Sequence, residues 1–404
     1  MPPLHGKNLT RVKQQNAAAI KMLLYQNAPL SRAAIAERLE LTPPTITNIV
    51  AEMIQQGIVH ELPPSKETSS HSVGRKPIDV DFVLTSRIAL GISLGRDVTH
   101  YCLTDLRGGI LAQGCTPVMS EQYDRMLQEL IELIDRLRSQ HLAEWPSVVG
   151  IGISVPGLVD PVAGVVKNHG SERQDWCNKP LAADLSAAVG KPVCLENNVR
   201  SRAFALPLFR PHLVHNQSSF AVCHVSWGIA CPVMLSDYMT VGEIGHTIID
   251  PAGPQLKNCG KAGSLESYAS LRAILERCRQ ALSRHEAPIL ASICRNPEQL
   301  TLEHVLEAQE QQDPAVCAII NLAMRYVGIA LANIVNLLDP RLIFLSGSLF
   351  YKEVNLRTVE EALHSYAFQA DDTKITLMHA NFGEYGGAVG AAAVCLKNFF
   401  IEQM

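Results

Sequence analysis

The sequence has little of several features that would assign it to a special class of protein. Its 11 cysteines include no Cys-x-x-Cys pair, which argues against a disulfide framework and a paired-cysteine metal site. Its first residues, 1–7, lack the apolar core of a signal peptide, and no run approaches the roughly 18 apolar residues that span a bilayer. No repeat of solenoid period occurs. We therefore expect a cytoplasmic protein without a membrane partner.

The chain also lacks a strong net charge. It holds 35 Lys and Arg against 39 Asp and Glu, a formal net charge of −4. Nucleic-acid binding would therefore have to depend on a local basic segment and not on bulk charge. A length of 404 residues exceeds one ordinary core and predicts two or three domains.

Residues 15–60 have the pattern of three short helices. The first is predicted over 16–26, Ser31 can cap the second, and the third begins after Thr42 and ends before Gly57. This spacing is typical of a helix-turn-helix. A small helical head that binds protein has the same pattern and stays open as an alternative.

The uncovered face of the third predicted helix carries Thr45, Thr47 and Asn48. Short hydroxyl and amide side chains near a helix N-terminus can contact base edges and phosphates in the major groove. Three nearby side chains would add positive charge for the DNA backbone: Arg32, Arg38 and Lys21. We therefore expect double-stranded operator DNA as a partner.

Two alternating segments, 58–62 and 78–82, predict the strands of a wing after the third helix. The loop between them ends in Gly74-Arg75-Lys76-Pro77. Adjacent Arg75 and Lys76 at a flexible tip suit contact with phosphates or the minor groove. A solvated linker is the alternative interpretation of this loop.

From about residue 88, short apolar strands alternate with helices, which predicts an α/β body. Strands are expected at 88–95, 101–105, 148–155 and 342–347, and helices at 120–138, 264–283 and 313–338. A final helix opens at Gly386-Gly387, where small residues favour close packing.

The stretch 241–266 contains Gly242-Glu243-Ile244-Gly245-His246 and, later, Glu266. The two glycines allow a tight turn that presents a carboxylate and an imidazole together, groups that suit vicinal sugar hydroxyls. With the surrounding chain, this motif resembles the ROK family of repressors, open reading frames and kinases. The transcriptional-regulator branch, whose members respond to sugars such as N-acetylglucosamine or glucose, fits best.

The resemblance implies a winged helix-turn-helix domain over 1–84 and a ROK domain over 85–404. The ROK domain would be a two-lobed actin/hexokinase-like body with a ligand cleft and a C-terminal helix that returns to the first lobe. A lone head gives modest specificity and operator half-sites are usually paired, so we also expect a homodimer or homotetramer. Five residues match the family's sugar ligands: Asn197, Asn198, Glu243, His246 and Glu266. A sugar or sugar phosphate is the expected effector.

The same resemblance implies that kinase activity is lost. Ser93 stands where family kinases have the Asp of the first phosphate cradle, Arg96 replaces a glycine, and Asn198 replaces the catalytic Asp. An amide cannot accept the sugar's proton as a general base. We therefore expect no catalytic residue, no enzyme activity and no cofactor. A decayed cleft, an active kinase with an added head, and a sensor of a protein such as a sugar-transport component stay open.

The family's structural zinc site is also expected to be absent. Of its ligands only His246 and Cys259 remain, while Lys257 and Ser264 occupy positions of cysteines. Tetrahedral structural zinc takes four nitrogen or sulfur ligands. The sequence thus predicts a sugar-responsive DNA-binding regulator, a repressor of carbohydrate uptake or catabolism genes.

Overall fold

The computed structural model describes residues 9–63, 78–168, 173–214, 217, 219–236, 238–256, 260–368, 375–380 and 382–402. The chain divides into two compact units. The first comprises Met1–His215 and Gly383–Met404, and the second comprises Asn216–Phe382.

The first unit begins with three helices and a small antiparallel sheet. These elements are α1 (Leu9–Asn27), β1 (Leu30–Ser31), α2 (Arg32–Leu39), α3 (Pro43–Gln55), β2 (Val59–Glu61) and β3 (Asp79–Phe82). The strand order is β1-β3-β2, with Val59 opposite Phe82. The three predicted helices and the two wing strands are confirmed, although α1 starts seven residues before the expected position.

Local chemistry explains the ends of α2 and α3. The Ser31 hydroxyl accepts from the Ala34 N–H at 3.2 Å, as the sequence predicts for an N-cap. Thr42 stands at the N-cap position of α3, but its hydroxyl lies 2.8 Å from that of Thr45 and makes no cap bond. Gly57, with φ +68°, turns the chain after α3.

A five-stranded mixed sheet forms the centre of the first unit. Its elements, in chain order, are β4 (Ile88–Leu94), β5 (Val98–Thr104), β6 (Ile110–Pro117), α4 (Tyr123–Gln140), β7 (Val148–Val155), β8 (Leu158–Asp160), β9 (Val165–Asn168), α5 (Leu181–Val189), β10 (Val193–Asn197), α6 (Asn198–Phe209) and α7 (Pro211–Val214). The strand order is β10-β7-β4-β5-β6. The strands β10, β7 and β4 are parallel, and β4, β5 and β6 are antiparallel.

The second unit has its own sheet covered by helices. Its elements are β11 (Ser219–Val225), β12 (Ile229–Ala230), β13 (Val233–Leu235), β14 (Tyr238–Met239), α8 (Glu266–Ala269), α9 (Leu271–Ser283), α10 (Pro288–Ile293), α11 (Leu302–Glu310), α12 (Pro314–Leu338), β15 (Leu342–Ser346), α13 (Glu353–Tyr366) and β16 (Thr376–His379). The order β14-β13-β11-β15-β16 places parallel β11, β15 and β16 together. The helix predicted over 264–283 is two helices, because the Ser270 hydroxyl caps α9.

The helix α12 corrects one expectation from the sequence. By length and composition it could cross a membrane, although no such run was expected. Half of its most apolar window is buried inside the protein, where it packs against α13. This burial is typical of a core helix of a globular unit.

The last helix, α14 (Gly386–Leu396), returns to the first unit and continues as a π-helical turn, Lys397–Ile401. It packs against β4 and β7, where the small residues Gly91 and Gly152 allow its backbone to approach. A methyl group on Gly91 would lie 1.9 Å from the Ala388 carbonyl oxygen. On α14 itself, a methyl group on Gly390 would lie 2.6 Å from the Ser201 carbonyl carbon, so its small residues serve close packing, as their pattern predicts.

The helix-turn-helix head shares a hydrophobic core with the rest of the first unit. This junction core includes Ile20 and Leu24 of α1, Leu208 of α6, and Phe400 and Ile401 of the π-helical turn. The Phe82 and Phe400 rings meet edge to face with centroids 6.1 Å apart. The head is therefore packed on α6 and the C-terminal segment and does not hang on a free linker.

Candidate functional site

The outer face of α3 presents small polar groups to solvent. Its apolar residues Ile46, Ile49, Val50 and Met53 are buried, whereas Thr47 and Asn48 are exposed. Among the described residues neither side chain makes a hydrogen bond, and both face solvent. Thr45 is half-buried, with its hydroxyl shared with Thr42.

An open depression of about 430 Å³ lies between α2 and α3. It is lined by Arg32, Ala33, Ala36, Glu37, Leu41, Pro43 and Thr47. The Arg32 guanidinium pairs with the Glu61 carboxylate at 2.9 Å, and its Nε is buried without a hydrogen-bond partner among the described residues. A phosphate that reaches Arg32 would therefore have to compete with Glu61.

Two of the basic residues expected near DNA have different surroundings. Arg38 is exposed, as the prediction requires. Lys21 is turned inward: its amine donates to the Phe400 carbonyl and lies 4.5 Å from the centre of the Phe400 ring. Burial lowers the pKa of Lys21 to about 8, and Arg87 adds to this effect. The expectation that Lys21 supplies charge for DNA is therefore wrong. Arg75 and Lys76 lie outside the described residues.

In the second unit, the turn at 242–246 brings two predicted sugar ligands together. Gly242 has φ +85°, and a methyl group there would lie 2.3 Å from the Pro232 nitrogen, so only glycine fits. His246 Nε2 lies 3.7 Å from Glu243 Oε2, and both side chains are about half exposed, at 57% and 41%. The turn thus presents a carboxylate and an imidazole to solvent.

Glu266, the first residue of α8, belongs to the same polar cluster. The Leu265 N–H donates to the Thr247 carbonyl at 2.9 Å and ties the start of α8 to the turn. Burial raises the pKa of Glu243, His246 opposes this, and the charge of Glu266 adds to it. We call Glu243, His246 and Glu266 the acidic cluster. Three such groups can accept from and donate to several hydroxyls of one ligand.

In the first unit, Asn197 and Asn198 have different roles. Asn197 is the N-cap of α6: its Oδ1 accepts from the Val199 N–H at 2.8 Å, and its Nδ2 donates to the Gly157 carbonyl at 2.7 Å. Its side chain is therefore engaged by the fold, and the expectation that Asn197 also binds sugar stays a prediction. Asn198 is half-buried, and its side-chain amide makes no hydrogen bond to another described residue.

The residues at the predicted phosphate cradle lie at the end of β4. Ser93 is half-buried, and Arg96 and Asp97 are exposed with Nε and Oδ1 4.0 Å apart. The structure thus places a guanidinium and a carboxylate at the turn where kinases have glycine and threonine. Residue 198 is an asparagine, and its amide cannot act as a general base.

The expected loss of the zinc site stays a prediction. Lys257 and Cys259 lie outside the described residues. Ser264 is buried, with its hydroxyl 3.0 Å from that of Ser267. The part of the chain that the structure describes holds no group of three or more His, Cys, Asp or Glu side chains placed to bind a metal.

One charged residue near these sites was missed in the sequence. Arg202, one turn after Asn198 on α6, donates from Nη1 to the Asn198 carbonyl at 2.6 Å. Its guanidinium is deep in the protein, and this burial lowers the pKa of Arg202 to about 10. The i to i+4 spacing from Asn198 on a helix was the only signal that the sequence offered.

Comparison with known proteins agrees with this arrangement. Residues 89–398 match the model of the ROK family, and residues 23–60 match that of winged helix-turn-helix DNA-binding domains. The chain is 26% identical to the DNA-binding transcriptional dual regulator NagC of Escherichia coli over 393 residues, which cover 96% of this chain and 93% of NagC. It is 24% identical to the xylose repressor of Bacillus subtilis over 397 residues, covering 96% and 97% of the two chains.

Solved structures show the same fold. A ROK family transcriptional regulator described as a homolog of the E. coli MLC protein superposes with a TM-score of 0.83 at 25% identity, covering 97% of both chains. A ROK family glucokinase from Streptomyces griseus, solved with glucose and AMPPNP, gives a TM-score of 0.65 at 21% identity and covers 76% of this chain and 98% of its own. The expected winged helix-turn-helix followed by an actin/hexokinase-like body is therefore confirmed, and the chain belongs to the ROK family.

Proposed function

We propose that this protein is a sugar-responsive transcriptional regulator that represses genes of carbohydrate uptake or catabolism. The observation that carries the proposal is the exposed polar face of α3 in a winged helix-turn-helix joined to a ROK body. The chain aligns with almost the full length of two regulators, NagC and the xylose repressor, and this similarity supports the proposal. The protein acts in the cytoplasm as a homodimer or homotetramer.

In this proposal α3 enters the major groove of the operator. The Asn48 amide can pair with the N6 and N7 edge of adenine, and the methyl groups of Thr45 and Thr47 can contact thymine. The loop residues Arg75 and Lys76 bind phosphates or the adjacent minor groove. Arg32 joins them when a phosphate displaces Glu61.

The body acts as a receptor and not as a kinase. Glu243, His246, Glu266 and Asn198 provide acceptors and donors for sugar hydroxyls, with Asn197 holding the start of α6. Asn198 cannot act as a base, and the side chains of Ser93 and Arg96 replace groups of the phosphate cradle. A ligand that binds without reacting can change operator binding only by its differential affinity for two states of the protein.

Substitution of Asn48 tests the DNA-reading face. Asn48→Ala should weaken binding of the full chain to operator fragments selected from its own genome by about 1–3 kcal/mol, because one bidentate base contact is lost. Gln55→Ala, at the far end of the same helix, is the matched control and should bind normally. Electrophoretic mobility shift gives both affinities. If the native protein selects no DNA fragment from its own genome, the proposal is contradicted.

An active sugar kinase is the rival function, favoured by the retained Glu243, His246 and Glu266 and by the kinase fold of the body. A coupled ADP-release assay with common hexoses decides between them. We expect no turnover above background. ADP release that depends on sugar and is abolished in Glu243→Ala would make the protein an enzyme.

A further inference from the structure

Two short segments of the second unit, 247–250 and 263–268, are held together by hydrogen bonds, and we call them the clasp. The Ile249 and Asp250 N–H groups both donate to the Gly263 carbonyl, at 3.0 and 3.1 Å. A methyl group on Gly263, whose φ is +67°, would lie 1.7 Å from the Asp250 carbonyl oxygen, so only glycine fits there. The backbone pairing of the clasp therefore depends on this glycine.

A buried tyrosine joins the two segments of the clasp through its side chain. The Tyr268 hydroxyl donates to the Asp250 carboxylate. The Tyr268 ring packs on the Tyr326 ring with centroids 4.5 Å apart, and the Arg277 guanidinium lies over the Tyr268 ring at 4.5 Å from its centre. Hydrogen bonds to a charged acceptor are stronger than those between neutral groups. This bond therefore fixes the first segment of the clasp against α8.

Two fully buried serines fix the turn that precedes α8. The hydroxyls of Ser264 and Ser267 lie 3.0 Å apart, and the Ser267 hydroxyl donates to the Lys261 carbonyl at 2.9 Å. A hydroxyl has one proton to donate, so the Ser264 hydroxyl is the donor to Ser267. Both buried hydroxyls thus have partners within the clasp and its turn.

The residues of the clasp do not fit the structural zinc that the family resemblance implies. Ser264 stands at the position of a ligand cysteine, and its neutral hydroxyl is already bonded to Ser267. Structural zinc takes nitrogen and sulfur ligands. The imidazole of His246 is 57% exposed, with Nε2 3.7 Å from Glu243 Oε2. At position 264, hydrogen bonding therefore takes the place of metal ligation.

The clasp also sets the position of Glu266, which lies within its second segment. The Leu265 N–H donates to the Thr247 carbonyl at 2.9 Å and holds the start of α8 beside the turn 242–246. The Glu266 carboxylate lies over the turn between β11 and β12, where a methyl group on Gly228 would be 2.8 Å from Oε1. Opening of the clasp would separate Glu266 from the other two groups of the acidic cluster.

We propose that the clasp replaces the structural zinc by hydrogen bonds, and that Tyr268 and Asp250 are positioning residues for Glu266. The role of Glu266 as a sugar ligand rests on the proposed function, whereas the clasp itself does not. The bonds from Tyr268 to Asp250 and from Ser264 to Ser267 hold the two segments without a metal ion. The acidic cluster therefore keeps its geometry when metal ions are removed.

Hydrogen exchange of the full chain tests the clasp without knowledge of the sugar. Mass spectrometry follows the peptides that cover residues 247–268 in three samples: with EDTA, with zinc chloride and with neither. We expect the same exchange rates in all three, because local opening is governed by the hydrogen bonds alone. Faster exchange of this segment in EDTA would overturn the proposal, because a segment held by zinc loosens when the metal is removed.

Substitutions within the clasp test the positioning residues. Tyr268→Phe keeps the ring against Tyr326 and should speed exchange at the clasp amides by about tenfold or more, because a hydrogen bond to a charged group is lost. The peptides that cover β15 should exchange as in the native protein. Asp250→Asn keeps a hydrogen-bonding group toward Tyr268 and should exchange more slowly than Asp250→Ala. Tyr238→Phe, an exposed tyrosine of the same unit, is the matched control and should leave exchange unchanged.

The outcomes separate this inference from the proposed function. Ser264→Ala leaves the Tyr268 hydroxyl in place, should also speed exchange in the clasp, and gives the answer if Tyr268→Phe does not fold. If both variants exchange as the native protein does, or speed exchange equally in every element of the chain, the proposal is wrong. Operator binding and the thermal shift with glucose and N-acetylglucosamine are measured on the same samples. A clasp that behaves as expected in a protein that binds neither DNA nor sugar contradicts the proposed function alone.

Discussion

Glu243 lies where its surroundings disfavour a negative charge. Burial raises the pKa of its carboxyl above the usual range, and Glu266 adds to the rise, whereas His246 opposes it. Sugar hydroxyls that donate to the carboxylate would compensate the lost hydration. The negative charge of Glu243 is therefore less favourable in the unliganded acidic cluster than with a polyhydroxylated ligand bound.

The sign of this shift predicts how stability changes with pH. Because the folded-state pKa of Glu243 is raised, its negative charge destabilises the folded protein. This destabilisation is absent below the unfolded pKa of about 4.5 and fully present above the raised folded pKa. Glu243→Gln should therefore gain melting temperature relative to the native protein as pH rises through that window. Melting curves from pH 4 to 8 measure the difference, with exposed Glu298→Gln as the control. A difference in melting temperature that does not change with pH would contradict a raised pKa of Glu243.

At the scale of elements, α6 connects Asn198, a proposed sugar ligand, with the core shared by the head and the rest of the first unit. Its first residues are Asn198 and, one turn later, Arg202, and its last turn contributes Leu208 to the junction core. The helix α1 of the head packs against α6 and the π-helical turn. A ligand that shifts the start of α6 therefore acts on an element that is in contact with the DNA-binding head.

Lys21 provides a test of this junction. Its folded-state pKa of about 8 is below the unfolded value of 10.5, so the penalty for the buried charge is fully present below pH 8 and fades as pH rises toward 10.5. The gain of Lys21→Met over the native protein in melting temperature should be largest near pH 7 and should shrink by pH 10. Exposed Lys13→Met is the control. A gain that grows with pH would show that Lys21 is not buried against Phe400.

Much of this fold could be predicted from the sequence, for reasons that particular elements make clear. The run Val148–Val155 is apolar except for Ser154 and is the buried strand β7, and the cap at Ser31 depends on local geometry. The edge strand β6 was missed because most of its residues are exposed and no apolar alternation marks it. The cap role of Asn197 and the position of Arg202 above Gly387 depend on α6 and α14 meeting, which spacing in one sequence does not reveal.

At the scale of the whole molecule, the limited positive charge of the head constrains how it can bind DNA. Residues 9–63 hold five basic and four acidic residues, and the loop 64–77 holds three basic and one acidic. Of the five, Lys13 and Arg32 pair with Glu52 and Glu61, and Lys21 is buried. Few phosphates can therefore be neutralised by one head, so under the proposed function we expect tight operator binding to need two heads on paired half-sites.

The small basic charge of each head predicts a modest dependence of operator affinity on salt concentration, to which two heads contribute equally. Each neutralised phosphate contributes about −0.9 to the slope of log K against log salt concentration. Arg75→Glu in both heads should reduce the magnitude of the slope by about 2 on paired half-sites and by about 1 on a single half-site. Fluorescence anisotropy from 50 to 200 mM KCl measures both slopes, with Arg125→Glu, on α4 far from α3 in sequence, as the control. Equal slopes on single and paired sites would contradict binding by two heads, and an unchanged slope in Arg75→Glu would show that the wing does not contact the backbone.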